Sequence, residues 1–244
     1  MDDGTSPRGS QAITRALAVL SAFTAERTTM TATEIAAVIE VSVPTAHRIA
    51  KALEGNGYLA RHGAGKAYGP GPQILRLARL MSETRVNGHQ GALLAALRDR
   101  FDETVSLHIR VGDRRVCIAE EVSRQGIRVT SGVGETYPLT AGAAGKAILA
   151  QLPADEVHRI VDLPASDAWG LPRTELLEEI ELTRRRGWAT STGETVPGAL
   201  AVAVPLPLSG DGPPSALNLV GPRDRMDPDT VDKALAALRE AARS

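Results

Sequence analysis

Residues Met30 to Tyr68 read MTATEIAAVIEVSVPTAHRIAKALEGNGYLARHGAGKAY, and this stretch decides the fold. Working outward from its centre, Ala46, Ile49, Ala50 and Leu53 recur at i, i+3, i+4 and i+7, so a helix here buries one face. The other face presents Pro44, Thr45, His47, Arg48 and Lys51. Ser42 stands where an N-cap belongs, and Pro44 falls in the first turn, where its missing N–H breaks no intrahelical bond. A shorter helix precedes this one, capped by Thr31 or Thr33 and carrying Ile35, Ala36 and Ile39 on one side, with only a few residues between the two. Beyond Leu53 the helix breaks at Gly55 or Gly57. A short strand follows from Tyr58 to Arg61, the chain turns at Gly63 and Gly65, and it returns through Lys66 to Tyr68. Arg61, His62 and Lys66 sit near the tip of that hairpin. Two helices joined by a tight turn and followed by a basic hairpin make a winged helix-turn-helix, whose exposed helix face suits a DNA major groove.

Charge supports the same reading once the chain is divided. The whole protein has 244 residues and a net charge of −1, which by itself argues against nucleic acid. Residues 1–80 carry 9 Lys+Arg against 6 Asp+Glu, a net of +3, and the remainder therefore carries 19 against 23, or −4. Without the acidic Met1–Pro7 segment the first part reaches +5, so basic charge gathers at the end that holds the helix-turn-helix. A single Cys leaves no internal disulfide and no Cys-based zinc site. With no apolar run near 18 residues and no charged-then-apolar leader, a soluble cytoplasmic protein is expected, without membrane partner or cofactor.

Around this unit the spacing predicts a helix over Ser10–Ala25, with Ile13, Leu17, Leu20 and Phe23 packing beneath the other two helices. After Pro70-Gly71-Pro72 comes a connector helix, Gln73 to Ser82. From Leu93 onward the pattern is mixed. A helix runs over Leu93–Phe101, a half-buried alternating strand over Val105–Val111, and further strands over Val116–Ala119 and Gly126–Ser131. Helices are expected over Ala143–Gln151, Ala154–Val161 and Thr174–Arg186. Strands follow near Trp188–Thr192, Leu200–Leu206 and Ala216–Val220, then a last helix with Asp227 as N-cap and Pro228 at its first position. The fold class is α+β. Residues 1–9 are expected to be a disordered N-terminal arm, 10–70 the winged helix-turn-helix, 71–88 the linker helix and 89–244 a sensor-like domain.

Four separated segments, in order, resemble one family: GYLARHGAGKAYGPGPQILRLA, YPLTAGAAGKAILA, TRRRGWATSTGETVPGALAVAVPL and SALNLVGPRDRM. The chain is similar to the IclR-type bacterial transcription regulators, whose N-terminal winged helix is tied by a linker helix to a GAF-like effector-binding domain. The resemblance implies a homodimer, often a dimer of dimers, that binds double-stranded operator DNA, more often as a repressor, and responds to a small molecule. The candidate DNA contacts are Ser42, Pro44, Thr45, His47, Arg48 and Lys51, with Arg61 and Lys66 on the wing. Arg48 and Lys51 favour phosphate or guanine. If each protomer neutralises about four phosphates, a dimer shows a log–log salt slope of roughly −7.

For the effector the resemblance implies a pocket between the sheet and the loop into the Gly-Lys-Ala helix. Ile127 and Val129 would form a wall, and Ala143 and Ala144 would offer helix N-terminal amides to an acid. Ser191, Ala201, Asn218 and Val220 match positions that in some small-acid-binding members carry Asp, Cys and two Ser. This chain departs at all four, which implies a less polar pocket and an anionic ligand with an apolar or aromatic body. TAGAAGKA is not a phosphate loop, because Thr140 and Ala147 stand where Gly and Ser or Thr are needed. Lys146 is read as a packing residue or a surface pair, and Cys117 as a buried structural thiol. SGVGETY stops short of a dinucleotide fingerprint at Tyr137. An enzyme acting on a small organic acid is the rival reading, as is a helix-turn-helix used for protein contact. Against an enzyme, no nucleophile with a base, no carboxylate pair and no metal cluster stands out.

Overall fold

The computed structural model describes residues 8–24, 26–63, 66–85, 88–163, 170–206 and 212–243. The expected N-terminal arm lies outside them up to residue 7. The chain divides into two compact units, Met1–Arg85 and Val86–Ser244.

The first unit opens with α1 (Arg8–Ser21), β1 (Met30–Thr31), α2 (Ala32–Val38) and α3 (Val43–Gly55). It closes with the wing strands β2 (Leu59–His62) and β3 (Ala67–Pro70) and the helix α4 (Pro72–Arg85). Its sheet has the order β1-β3-β2, antiparallel, with Arg61 opposite Tyr68. Thr31 caps α2 through a reciprocal box, its own amide donating to Glu34 Oε2 at 2.6 Å, and this bond holds the Glu34 carboxyl below its ordinary pKa. Ser42 is the N-cap of α3 by backbone conformation, yet its hydroxyl lies 3.0 Å from Thr45 Oγ1 and bonds no backbone amide. Met30, Ile35, Ala46, Ala50, Leu59 and Tyr68 form the centre of the core. The expected stripe is corrected in its first half: Leu20 and Phe23 pack against the core beside the buried Val19 and Ala22, whereas Ile13 and Leu17 are 64% and 58% exposed. Only the C-terminal part of α1 reaches the core, so the apolar period continues past the point where packing stops.

The second unit contains α5 (Gly88–Phe101), β4 (Thr104–Val111), β5 (Arg114–Glu121), β6 (Thr136–Pro138), α6 (Gly142–Leu149) and α7 (Ala154–Val161). It ends with α8 (Arg173–Arg186), β7 (Ala189–Thr192), β8 (Ala199–Leu206), β9 (Ser215–Pro222) and α9 (Pro228–Ala241). One antiparallel six-stranded sheet runs β6-β5-β4-β9-β8-β7. Its one face packs Val105, Leu107, Val202, Leu217 and Leu219 against α5 and α9. The other packs Ala201, Ala203, Ala216 and Val220 against α6, with α7 and α8 behind. A central strand covered on both sides is buried on both faces, so β4 corrects the half-buried expectation from Thr104 to Ile109: Ser106 and His108 are as inaccessible as Val105. The strand expected over Gly126–Ser131 is also absent, and β6 lies further on. The amides of Ser131 and Gly132 donate to the Glu120 carboxylate, at 2.5 and 3.1 Å, in place of a ladder. Among the described residues, no helix is long and apolar enough to cross a membrane.

Candidate functional sites

On α3 the alternation of burial follows the helical period. Ala46 and Ala50 are sealed, while Ser42, Pro44, His47, Arg48 and Lys51 are exposed and Thr45 is half-exposed. Six of the eight residues expected to meet DNA therefore share one face at the start and middle of this helix, and Lys66 stands exposed on the wing. Arg61 is different. Its Nε donates to Glu54 Oε1 at 3.1 Å, its Nη2 donates to the Tyr68 hydroxyl at 2.8 Å, and its guanidinium lies 4.7 Å over the Tyr68 ring. It braces the end of α3 to the wing, an attachment that the hairpin sequence alone does not reveal.

In the second unit a small cavity of about 30 Å³ lies between the sheet and the start of α6. Val129, Ala143, Ala144, Ser191, Ala201, Asn218 and Val220 all line it, as the resemblance implied. Ile127 does not: it is 78% exposed, and only its carbonyl is engaged, accepting from Arg225 Nη2 at 2.9 Å. The loop that was expected to pair as a strand turns this side chain outward. The lining is also more polar than expected, since Arg115, Thr130, Ser131, Tyr137 and Thr195 join Ser191 and Asn218. The five added residues come from β5, the loop after it, β6 and the β7–β8 loop, none of which the four substituted positions report on.

The first turn of α6 is partly occupied from within the chain. Gly142 N–H donates to Glu194 Oε2 at 2.8 Å, and Glu194 Oε1 lies 2.6 Å from Lys146 Nζ. The side chains of Lys146 and Glu194 are 2% and 7% exposed, so this is a buried ion pair and not the surface pair expected for Lys146. Gly142 has φ +80, and a Cβ there would sit 3.1 Å from Arg115 Nη2 and 3.3 Å from Thr195 Cγ2. Gly145 lets the helix approach the preceding strand closely, since a Cβ would fall 2.3 Å from the Leu139 carbonyl oxygen.

Behind the cavity runs a buried polar chain. Arg115 Nη1 meets His108 Nδ1 at 3.1 Å, His108 Nε2 meets Ser106 Oγ at 3.0 Å, and Asn218 Nδ2 donates to Ser106 Oγ at 3.3 Å. Burial, and then the charge of Arg115, keep the His108 pKa well below its ordinary value, so the imidazole is neutral. A guanidinium only donates, so Nδ1 is the acceptor and the ring proton resides on Nε2. Cys117, on the same strand as Arg115, is buried as expected, and burial pushes its thiol up to about 12. Period 2 places Arg115 on the face of Cys117, but nothing in its local sequence marks it as a pocket residue.

Comparison with known proteins bears on both units. Residues 12–63 match the IclR helix-turn-helix domain, and residues 78–244 match the bacterial transcriptional regulator IclR C-terminal domain. The chain is 33% identical over 208 residues to the HTH-type transcriptional regulator Rv1719 of Mycobacterium tuberculosis, covering 84% of this chain and 80% of that protein. An IclR transcriptional regulator from Alicyclobacillus acidocaldarius is similar in structure, with a TM-score of 0.79 at 25% identity over 98% of this chain and 96% of that one. An IclR homolog from Microbacterium hydrocarbonoxydans, crystallised with 4-hydroxybenzoate, has the same fold, with a TM-score of 0.76 at 22% identity and 95% coverage of each chain. These two matches, which together cover most of the chain, place it in the IclR family of bacterial transcriptional regulators.

Proposed function

We propose that the protein is a repressor that binds operator DNA as a homodimer, or a dimer of dimers, and that a small anionic organic molecule in the second unit modulates that binding. One observation carries the DNA step: Pro44, His47, Arg48 and Lys51 stand exposed together on a helix whose opposite face is sealed. A cationic, unobstructed helix face with a wing beside it meets the requirement for base edges and phosphates in a major groove. Ser42, Thr45 and Lys66 complete the proposed surface, and two-fold symmetry requires half-sites about one helical turn, or a multiple of it, apart.

For the effector step, the small cavity against α6 supports a ligand of limited size, and its polar lining supports an acid. The homolog bound to 4-hydroxybenzoate supports the same chemistry. α4, which follows the wing, is the proposed route between the units. Switching an operator-competent population from mostly on to mostly off needs the ligand to prefer one arrangement by roughly 5 kcal/mol. A gel shift with the promoter fragment, with and without organic acids, tests the reading. Arg48→Ala abolishes the shifted band while acid-induced thermal stabilisation persists. Normal operator affinity in that variant refutes the recognition face.

A further inference from the structure

We propose that Arg115 is the receptor for the effector's carboxylate, that His108 is its positioning residue, and that the ligand is a short-chain carboxylate. This rests on the effector-pocket reading above.

Burying a guanidinium is unfavourable unless a carboxylate or several acceptors meet it. The mostly buried arginines elsewhere in this unit obey the rule: Arg98 pairs with Glu121 at 3.0 Å, Arg186 with Glu179 at 3.2 Å and Arg110 with Glu156 at 2.5 Å. Arg115 is 5% exposed, yet among the described residues no carboxylate oxygen lies within ion-pair distance of it. Its Nε is buried without any hydrogen-bond partner. The cation is therefore held in the cavity wall, where the Glu194 carboxylate attracts it through space but is itself paired with Lys146.

The orientation is equally specific. The guanidinium carbon sits over the Tyr137 ring, 4.5 Å from its centroid. Arg115 Nη1 donates to His108 Nδ1, which must accept because a guanidinium has only donors. What remains is the Nε–Nη2 edge, with Nη2 beside Gly142 at the start of α6. Two parallel donors on one guanidinium edge match the two oxygens of a carboxylate. Glu194 already holds the Gly142 amide, so an incoming acid is directed to Arg115 with the amides of Ala143 and Ala144 alongside. The cavity of about 30 Å³ accommodates roughly two water molecules. A carboxylate with a short chain can replace them, whereas an aromatic body requires the wall to move.

The test titrates the full-length protein with formate, acetate and propionate, using formamide, acetamide and propionamide as neutral controls. NMR follows the Arg115 Nε–H resonance and the backbone amides of Ala143 and Ala144. The proposal requires a saturable shift of the Arg115 resonance with the acids and none with the amides. Arg115→Gln weakens acid binding about 10- to 100-fold, the range for a hydrogen bond to a charged group. It also raises the melting temperature of the ligand-free protein, because an unpaired buried charge has gone. A merely structural arginine would lower it. His108→Leu weakens the acids without touching the amide controls, and His108→Gln, which retains an acceptor, restores part of the loss. If Ala143 and Ala144 respond to acids while Arg115 does not, the receptor assignment is overturned and the pocket stands. If no resonance of the cavity moves, the pocket reading falls with it.

Discussion

Replacing Lys146 by Met isolates the energetics of the ion pair that closes the start of α6. At 2.6 Å and an effective dielectric of about 20, the Lys146–Glu194 attraction is about 6 kcal/mol. Desolvation of each ion costs several kcal/mol, so the pair as a whole contributes little net stability. Removing one partner is another matter, because it leaves the other charge buried: Lys146→Met is expected to cost about 3–5 kcal/mol. The double variant Lys146→Met, Glu194→Leu is expected to recover most of that loss. Both tryptophans, Trp169 and Trp188, belong to the second unit, so fluorescence during urea unfolding reports that unit alone. With a slope of about 2 kcal/mol per molar urea, the single variant moves the midpoint down by about 2 M and the double by far less. A single-variant shift below about 0.5 M would show that water reaches the pair. A double variant as unstable as the single would show that the Glu194 bond to the Gly142 amide, and not the charge pair, is what holds the loop.

On the wing, Lys66→Ala in a dimer lowers the magnitude of the log–log salt slope of operator binding by about 1.8, one phosphate per protomer. Arg61→Ala leaves the slope unchanged, because its guanidinium is already engaged by Glu54 and Tyr68. Salt titrations by fluorescence anisotropy distinguish the two. Gly142→Ala, at φ +80 and with its Cβ only 3.1 Å from Arg115 Nη2, costs about 1–2 kcal/mol in the tryptophan-monitored transition and reduces acid binding. Cys117 resists alkylation at pH 8 in the folded protein and reacts in urea, since its thiol is pushed up to about 12. The unfolded chain releases that proton near 9.0 and the folded one retains it to about 12, so this thiol's contribution to stability falls as pH rises through that window.

Local pattern and tertiary packing divide the account of this protein between them. Residues whose partners are sequence neighbours were legible: the buried period Ala46, Ala50 and Leu53, the Asp227 cap that accepts from Thr230 N–H at 2.7 Å, and the glycines at the wing. The stripe on α1 misled because periodicity persists whether or not a neighbour covers it, and Ile13 and Leu17 are left in solvent. Gly126–Ser131 misled because a carboxylate from β5 took the amides that a strand partner would have taken.

The amino-acid sequence by itself determined most of the helices and strands, though not β6, and that the cationic face of α3 stands opposite a sealed one. These follow from backbone sterics, capping and a 3.6-residue period, all of which act within one element. Only the tertiary structure decided that Arg115, His108, Ser106 and Asn218 form one chain across β5, β4 and β9, and that Lys146 and Glu194 meet although they are far apart in sequence. Strand order and helix placement set those contacts, and a charge acquires its chemistry from what surrounds it once water has been excluded.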